Sequence, residues 1–525
     1  MTLDGKTTYV PPQSTFSGQE KILEPLPPHP TPLDYFRLYF TDELIDLLVS
    51  ETNRYADQYM DRNNVPPHSP VHMWTPTDRN EMCAFLGLSI LMGIVYKPRL
   101  SMYWSSDLVY KTGIFGDIMA RDRYLLLLRF LHFADNDTLD ARDPDRDRLG
   151  KIRPLINVIR ERCAAVYSPG KDLCVDESLV LFKGRVAFKQ FIRTKRARFG
   201  IKLFELCTSN GILLDFMTYH GRMSDELLTL PNHDFLTSDL IPLTMLQRYL
   251  NKGHRLFVDY YYTTPTLAQY LLENGTKLVG TVRSNRRNFP RELADAEIGK
   301  GESKFSLSTS GVLAVKYRAT KDKANRKPKV VCLLSTDHAN TVANSNKKDK
   351  DGNPVPKPTC VLEYNRCMGG VDLMDQQLDS LLVIRKAYKW YKKLFFRFML
   401  QCLLSSHKLY RMGGGNNDFL KFVHDVVTQL LTLSPRANPA NAPLDSIARL
   451  FGRDHFPSKR AYEGHGSRRA SKKKLCRVCY ARGLRTEKGG PLETTWVCEA
   501  CPSLPGLCVE KGCFKEYHTK YDYSV

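Results

Sequence analysis

The chain contains no apolar run long enough to cross a bilayer. Its longest, CAFLGLSILMGIVY from Cys83 to Tyr96, falls short of the roughly 20 residues that a transmembrane helix needs. The first residues also lack the apolar segment of a secretory signal peptide. We therefore expect neither a membrane span nor secretion, and the run itself predicts a buried helix.

Acidic residues are scarce relative to basic ones. The sequence has 56 Asp and Glu against 77 Lys and Arg, which gives a formal net charge of +21. A surplus of this size indicates an anionic partner, either nucleic acid or a membrane surface. Because no apolar run would span a membrane, we expect nucleic acid as the partner and no membrane.

The cysteines are not arranged as a disulfide framework. Of the 14, eight lie singly between Cys83 and Cys402, as buried free thiols do in a reducing compartment. The other six fall between Cys476 and Cys513. Such a concentration indicates a metal site.

Changes of pattern along the chain predict a multidomain α/β protein. An early helical region lacks β alternation, and the region after it has three strands followed by strand, helix and strand. That order is typical of a ribonuclease-H-like mixed sheet. The predicted segments are 1–33 (flexible, proline-rich), 34–165 (all-helical domain), 166–290 (first part of the ribonuclease-H-like core), 291–360 (basic, strand-like insertion domain), 361–433 (end of the core and further helices), 434–471 (linker with a basic run) and 472–525 (Cys-rich domain).

Three aspartates occur where an acid does not help folding. Asp176 interrupts the strand-like run LCVDESL, Asp259 ends the apolar run LFVD, and Asp372 follows a glycine pair in MGGVDLMD. A buried carboxylate must be paired or metal-bound, and convergent carboxylates in a basic protein indicate a divalent-metal site acting on nucleic acid. Any one alone is more often a cap at a helix or strand end. The metal site therefore depends on all three meeting in space.

Two other residues near these motifs are expected to be structural. Glu177 would point to the opposite face of the strand from Asp176. His132, in the string LHF, is expected to be a hydrogen-bonded core histidine. Neither receives a role in catalysis or metal binding.

Basic side chains are candidate contacts for DNA. Between residues 183 and 202 they alternate with phenylalanines and no acid occurs, a pattern typical of a phosphate-backbone track or, equally, of a solvated hairpin edge. A second group follows a strand near residue 282, and a third forms a basic aromatic helix. The predicted contacts are Lys183, Arg185, Lys189, Arg193, Lys195, Arg196, Arg198, Lys202, Arg283, Arg286, Arg385, Lys386, Lys389 and Trp390.

The tail carries a zinc pattern. Two CxxC turns, at 476–479 and 498–501, each aim two thiolates at one tetrahedral ion. Later Cys and His residues suit a second ion, so seven candidate ligands are available where two sites need eight. The eighth ligand is His465, His455, a water or nothing, and one zinc with spare thiols is the alternative. The candidate ligands are Cys476, Cys479, Cys498, Cys501, Cys508, Cys513 and His518.

Longer strings of the sequence resemble the piggyBac transposase family. They include VDE at 175–177, FKGR at 182–185, FGIK at 199–202, GTVR at 280–283 and the stretch from Tyr364 through GGVDLMDQ. The similarity runs in order over about residues 34 to 525. It is too long and too specific for chance.

The resemblance implies roles for the residues above. Asp176, Asp259 and Asp372 would bind Mg²⁺ or Mn²⁺ in a ribonuclease-H-like catalytic core, and Asp375 would be a further catalytic acid of the same motif. The helices after Asp372 would pack against 34–162 as a joint DNA-binding and dimerisation unit. The tail would be a cross-braced module with two Zn²⁺ ions that binds transposon ends, with the reading of histone tails as a second interpretation.

The implied function is cut-and-paste DNA transposition. Metal-dependent hydrolysis would free a 3′-hydroxyl, which would attack the opposite strand to form a hairpin and later join target DNA at TTAA. The partners would be double-stranded DNA and a second copy of the chain in a homodimer. The acid-free stretch from Arg468 to Lys474 predicts a nuclear location or a DNA-contacting arm. The alternative is a domesticated, non-enzymatic derivative that binds DNA or chromatin.

Overall fold

The computed structural model describes residues 2–3, 9–12, 15–140, 142–193, 198–221, 223, 226–230, 234–319, 329–348, 352–381, 383, 389–433, 455–459, 473–501, 504–520 and 523. By its internal contacts the chain forms two units. The first is Met1–Tyr59, Met92–Ile94 and Leu131–Val426, and the second is Met60–Leu91, Val95–Phe130 and Val427–Val525. The helical segment 34–165 is thus divided between the two units. The sequence does not predict this division, because periodicity identifies a helix but not what the helix packs against.

Some of the helices begin where the sequence provides a side-chain cap. The apolar run at Cys83 lies in a buried helix whose first turn is capped by Asp78, as its side chain accepts a hydrogen bond from the Glu81 N–H at 2.8 Å. The α-helices of the described residues are α1 Pro32–Arg37, α2 Asp42–Arg62, α3 Arg79–Ile94, α4 Gly113–Ile118, α5 Arg121–Phe130, α6 Arg153–Val166, α7 Thr237–Leu246, α8 Pro265–Glu273, α9 Arg291–Asp295, α10 Thr359–Cys367, α11 Gly370–Asp379, α12 Trp390–Met412, α13 Phe419–Thr432, α14 Arg477–Ala481 and α15 Cys513–Thr519. Short 3-10 helices span Pro70–Met73, Leu100–Trp104 and Asn136–Thr138.

The strands are concentrated after residue 166, where the sequence predicts them. They are β1 Thr2–Leu3, β2 Lys21–Ile22, β3 Tyr167–Ser168, β4 Asp172–Leu181, β5 Gln190–Phe191, β6 Phe199–Thr208, β7 Leu213–Thr218, β8 Arg255–Val258, β9 Lys277–Val282, β10 Ser303–Leu307, β11 Leu313–Arg318, β12 Val330–Ser335, β13 Val342–Lys348, β14 Pro354–Pro358, β15 Pro457–Lys459, β16 Lys474–Leu475, β17 Glu493–Thr494 and β18 Trp496–Cys498.

A 10-stranded mixed sheet forms the centre of the first unit. Its order is β1-β10-β11-β12-β9-β8-β4-β6-β5, and β7 also pairs with β6. The strands β4, β8 and β9 run parallel, whereas β4 and β6 are antiparallel. The mixed sheet agrees with the predicted fold class, and the ribonuclease-H-like assignment stays a prediction.

The strands of segment 291–360 do not all form a separate insertion. β12 pairs antiparallel with β9, from Cys332 opposite Val282 to Ser335 opposite Val279, so β10 to β12 continue the main sheet. The backbone groups of β9 would otherwise form an open edge, and pairing with β12 satisfies them. Among the described strands of this segment, β13 and β14 pair with each other instead.

Aromatic packing joins helix α12 to the sheet. The rings of Phe398 on α12 and Phe216 on β7 have centroids 4.4 Å apart, and Phe395 lies 4.9 Å from Phe133. Helix α11 packs against β4 and β6, and α12 packs against β4 and β7. In the part of the chain that the structure describes, no helix is both long and apolar enough to cross a membrane.

Candidate functional site

The first two aspartates directly follow the last residues that pair between two neighbouring parallel strands. β4 and β8 pair in parallel up to Val175 opposite Val258, so Asp176 and Asp259 are the next residues of each strand. The carboxyl ends of parallel strands meet at one edge of a sheet, and this is where α/β proteins commonly bind ligands. Asp176 and Asp259 are therefore neighbours at that edge.

The third aspartate approaches the same place from a helix. Asp372 lies in the first turn of α11, which packs against β4. Burial raises the pKa of the Tyr364 phenol, and the carboxylates of all three aspartates raise it further. The Tyr364 hydroxyl also lies 3.3 Å from Oγ1 of Thr281 on β9. Tyr364 thus marks a space that Asp176, Asp259 and Asp372 share.

The aspartates are less buried than the apolar runs around them suggest. Asp176 and Asp259 are half-buried and Asp372 is exposed. In the described ranges, sets of ligand atoms within 4.8 Å of one another occur in the C-terminal module, and the three aspartates do not form such a set.

Backbone amides and neighbouring acids tune the site in opposite directions. Burial raises the pKa of Asp259 and the charge of Glu177 adds to the rise, while hydrogen bonds from the N–H groups of Tyr261 and Tyr262 oppose it. The Tyr261 N–H lies 2.9 Å from Oδ1 of Asp259. Glu177 itself accepts a hydrogen bond from the Tyr262 hydroxyl at 3.2 Å. Net negative charge therefore accumulates here, as it does in a cation site.

Asp375 has different surroundings from Asp372. Its Oδ1 accepts a hydrogen bond from Nη2 of Arg397 on α12. The same Nη2 lies 3.9 Å from Oε1 of the buried Glu205 on β6. The acids of this motif thus face two separate environments.

The predicted DNA contacts differ in their surroundings. Several of these side chains make internal contacts: Nζ of Lys202 lies 3.9 Å from Oε2 of Glu177, and Arg286 donates to the carbonyls of Thr263, Tyr260 and Tyr261. Lys189 donates to the Gly184 carbonyl at 3.1 Å, and the Arg283 guanidinium lies over the Tyr260 ring. Trp390 is half-buried and packs edge-on against Phe188. The exposed ones are Lys183, Arg185, Lys189, Arg193, Arg198, Arg283 and Lys389, and Lys195, Arg196, Arg385 and Lys386 lie outside the described residues.

The first candidate zinc site consists of four cysteines. The Sγ atoms of Cys476, Cys479, Cys508 and Cys513 all lie within 4.8 Å of one another. Sγ of Cys479 and Sγ of Cys513 are 3.6 Å apart, against about 3.7 Å for two sulfurs on one tetrahedral zinc. Burial opposes ionisation of Cys476, but hydrogen bonds from the N–H groups of Cys479 and Cys508 bring its pKa below the usual value. This donor set fits Zn²⁺.

The second candidate site contains a histidine that can serve as the eighth ligand. It consists of His455, Cys498, Cys501 and His518. Nδ1 of His455 lies 3.3 Å from Sγ of Cys498, and Nε2 of His518 lies 3.5 Å from Sγ of Cys501. Nδ1 of His518 is 2.8 Å from the Phe514 carbonyl, so Nδ1 carries the proton and Nε2 is left for a metal.

Pairing of strands explains why His455 reaches the module. β15 pairs with β18 from Pro457 opposite Cys498 to Lys459 opposite Trp496, and His455 lies two residues before β15. His465, the other histidine that the sequence offered, lies outside the described residues. Because the two sites use alternate ligand pairs along the chain, their arrangement is cross-braced.

Sequence reasoning assigned no role to Tyr364 or Glu205, and it counted Arg397 only among the basic residues of an aromatic helix that would lie along DNA. Tyr364 begins one of the stretches that resemble the piggyBac family, but its position is typical of a core residue of an amphipathic helix. Glu205 lies in the otherwise apolar strand β6, at a position opposite Asp176. An acid inside an apolar strand is the signal that could have identified it.

Comparisons with known proteins agree on one family. A family model described as "Transposase IS4" matches residues 31–405, and one described as "DDE_Tnp_1-like zinc finger" matches residues 463–519. The human PiggyBac transposable element-derived protein 3 is 27% identical over 518 residues, covering 93% of this chain and 76% of that protein. The human PiggyBac transposable element-derived protein 2 is 26% identical over 512 residues, with the same 93% and 76% covered.

A solved structure has a similar fold. It is the piggyBac transposase synaptic complex with hairpin DNA, which superimposes with a TM-score of 0.68 at 22% identity and covers 94% of this chain and 98% of that chain. The zinc-finger match begins at residue 463 and therefore leaves out His455. The zinc-finger family and the two Cys and His clusters together fit Zn²⁺.

Proposed function

The chain belongs to the piggyBac transposase family, and we propose that it is an active DNA transposase with Asp176, Asp259 and Asp372 as its metal-binding acids. The observation that carries this proposal is the register of β4 and β8, which places Asp176 beside Asp259, together with the packing of α11, which carries Asp372, against β4. Acids that approach one place from two neighbouring strands and a helix are held by rigid elements, as a catalytic site requires.

The three acids fit a hard divalent ion. Mg²⁺ and Mn²⁺ prefer carboxylate oxygens and keep waters that a substrate displaces. Such an ion would polarise the phosphodiester and activate a water or a 3′-hydroxyl. The exposure of Asp372 leaves the site open on one side, and a bound cation would offset the burial that raises the pKa of Asp259.

Double-stranded DNA is the proposed substrate. Exposed basic side chains come directly after β4, the strand that carries Asp176. They include Lys183, Arg185 and Lys189. Contacts of this kind position the phosphate backbone without reading its sequence. On the basis of the family, the zinc module is assigned the recognition of terminal repeats, and TTAA is assigned as the target sequence. A homodimer and a nuclear location stay predictions.

An excision assay tests the proposal. A reporter interrupted by a segment with the candidate transposon ends is expected to be restored by the wild-type chain. Asp176→Ala, Asp259→Ala and Asp372→Ala are each expected to reduce excision to background, because each removes a carboxylate that the metal site needs. Asp295→Ala, which changes an exposed acid on α9, is the matched control and should excise normally.

Binding of the same DNA separates the proposal from its alternative. The three variants should bind this DNA with the wild-type dissociation constant, since their exposed basic side chains are unchanged. If the wild-type chain binds these ends but excises none of the segments that carry them, the proposal that it is an active transposase is refuted. That result would favour a non-enzymatic DNA-binding or chromatin-binding derivative.

A further inference from the structure

The helix α11 carries three aspartates, and the first two, Asp372 and Asp375, lie one turn apart in different surroundings. Asp372 is exposed and acts on Tyr364, whereas Asp375 is half-buried. The Asp375 carboxylate accepts a hydrogen bond from Arg397. An acid that is already bound to a guanidinium is a poor ligand for a metal, because the cation occupies the oxygen that an ion would use.

Arg397 extends this pairing to the sheet. Its side chain is 15% exposed, and its Nη2 lies 3.9 Å from Oε1 of Glu205, whose side chain is 0% exposed. Gln401, one turn later on α12, donates from Nε2 to the same Oε1 at 2.6 Å. Gln401 Nε2 also lies 3.8 Å from Sδ of Met374 on α11. One face of α12 therefore contacts both α11 and β6.

The charges of this group depend on one another. Burial raises the pKa of Glu205, the Arg397 guanidinium lowers it, and the charge of Asp375 raises it again. If Arg397 were lost, two acids would be left together in a largely buried place. Breaking a buried pair on one side leaves an uncompensated charge, which is far more disruptive than losing an exposed pair.

The register of the sheet connects this group to the site. Glu205 on β6 lies directly opposite Asp176 on β4, and residues opposite each other in an antiparallel pair share a face of the sheet. We propose that Asp375 is a positioning residue which, through Arg397 and Glu205, fastens the helix that carries Asp372 to the strands that carry Asp176. This inference rests on the proposed function for the role of Asp372.

Hydrogen exchange of α11 and the rate of DNA cleavage test the link together. Asp375→Asn and Arg397→Met are each expected to speed amide exchange in residues 370–379 and to lower kcat by about 10- to 100-fold, with KM for DNA unchanged. Arg411→Met, which changes an exposed arginine of α12, should alter neither quantity. Asp372→Asn should stop cleavage and leave the exchange of α11 as it is.

A double variant distinguishes a shared link from two separate effects. Asp375→Asn combined with Arg397→Met is expected to be no slower than Arg397→Met alone, because it removes the acid left unpaired. If Arg397→Met does not fold, Arg397→Lys, which keeps the charge but loses the fork, should give an intermediate exchange rate. Loss of cleavage in Asp375→Asn with normal exchange in both Arg397 variants would overturn the inference and make Asp375 a metal ligand.

Failure of the two proposals can be told apart. If the wild-type chain does not cleave DNA, the proposed function fails, and the exchange of α11 still decides whether Asp375 and Arg397 hold the helix. Faster exchange in both variants then supports the positioning link. Wild-type exchange in both refutes it.

Discussion

At the scale of single residues, the surroundings of a side chain decide its charge. His132 is buried, as the sequence predicts, and stacks on Tyr55 with ring centroids 4.1 Å apart. Burial, with smaller contributions from the charges of Lys151, Lys392 and Lys389, lowers its pKa to about 4, although the hydrogen bond to Oδ1 of Asn136 opposes the shift. The sequence indicated a core histidine but not the three lysines, which come from two separate segments of the chain.

This histidine should make stability depend on pH. Its folded pKa of about 4 lies below the unfolded value of about 6.5, so the neutral form stabilises the fold above pH 6.5. That contribution should be lost as the pH falls toward 4, by about 3 kcal/mol in all. His132→Gln should flatten the loss of Tm between pH 7 and pH 5, whereas His424→Gln, at a side chain that is 58% exposed, should not. An unchanged pH dependence in His132→Gln would contradict the prediction.

At the scale of elements, the glycine pair before Asp372 shows how a helix reaches a sheet. A Cβ added to Gly370 would lie 2.2 Å from the Thr208 carbonyl and 2.6 Å from Sγ of Cys174, whereas one added to Gly369 would meet nothing within 4 Å. The second glycine is therefore the one that lets α11 approach β4 and β6. The sequence showed the pair, but only the packing distinguishes its members.

Alanine at the two positions should separate them. Gly370→Ala should push α11 away from the sheet and destabilise the first unit by about 1–3 kcal/mol, as overpacking does. Gly369→Ala should change stability by no more than about 0.5 kcal/mol, the usual range for a substitution that meets no neighbour. Urea unfolding followed by circular dichroism measures both. Equal losses in the two variants would show that the close approach is not what requires glycine.

Element types were largely predictable where a local pattern encodes them. Periodicity, caps and turns predict several elements correctly. These are the buried helix α3, the helix α8 that Thr264 caps and Pro265 begins, and the strands β4, β6, β8 and β9. They do not predict the continuation of the sheet through β12, because strand pairing depends on which open edge is available. That edge exists only once the sheet has formed.

At the scale of the whole molecule, the chain consists of two units, and both contain many buried apolar residues. The first unit has the sheet with its helices, and the second has helix α5 and most of α3. In the second, the cysteine-rich module has a small cluster in which the fully buried residues other than cysteine are Val478, Leu507 and Tyr517. So few apolar side chains do not form a stable core, and structural zinc supplies folding free energy on the order of 10 kcal/mol in such modules.

Zinc content should report both sites. The purified chain is expected to hold two Zn²⁺ by inductively coupled plasma mass spectrometry. Cys476→Ser and Cys498→Ser should each lose one, and His455→Ala should lose the same ion as Cys498→Ser and weaken binding of terminal DNA. His465→Ala is the matched control and should keep both ions. One zinc in the wild-type chain, or two in His455→Ala, would refute the second site.

The sequence by itself determined the family, the mixed α/β character, the basic charge and the chemical types of the site residues, because these follow from composition and from patterns of a few neighbouring residues. Only the tertiary structure decided that Asp176 and Asp259 are neighbours, that Asp375 pairs with Arg397, and that His455 joins Cys498, Cys501 and His518 in the second candidate zinc site. His455 and Cys498 are 43 residues apart, and Glu205 and Gln401 are 196. Contacts over such separations are set by the register of strands and the packing of helices, which no local pattern encodes.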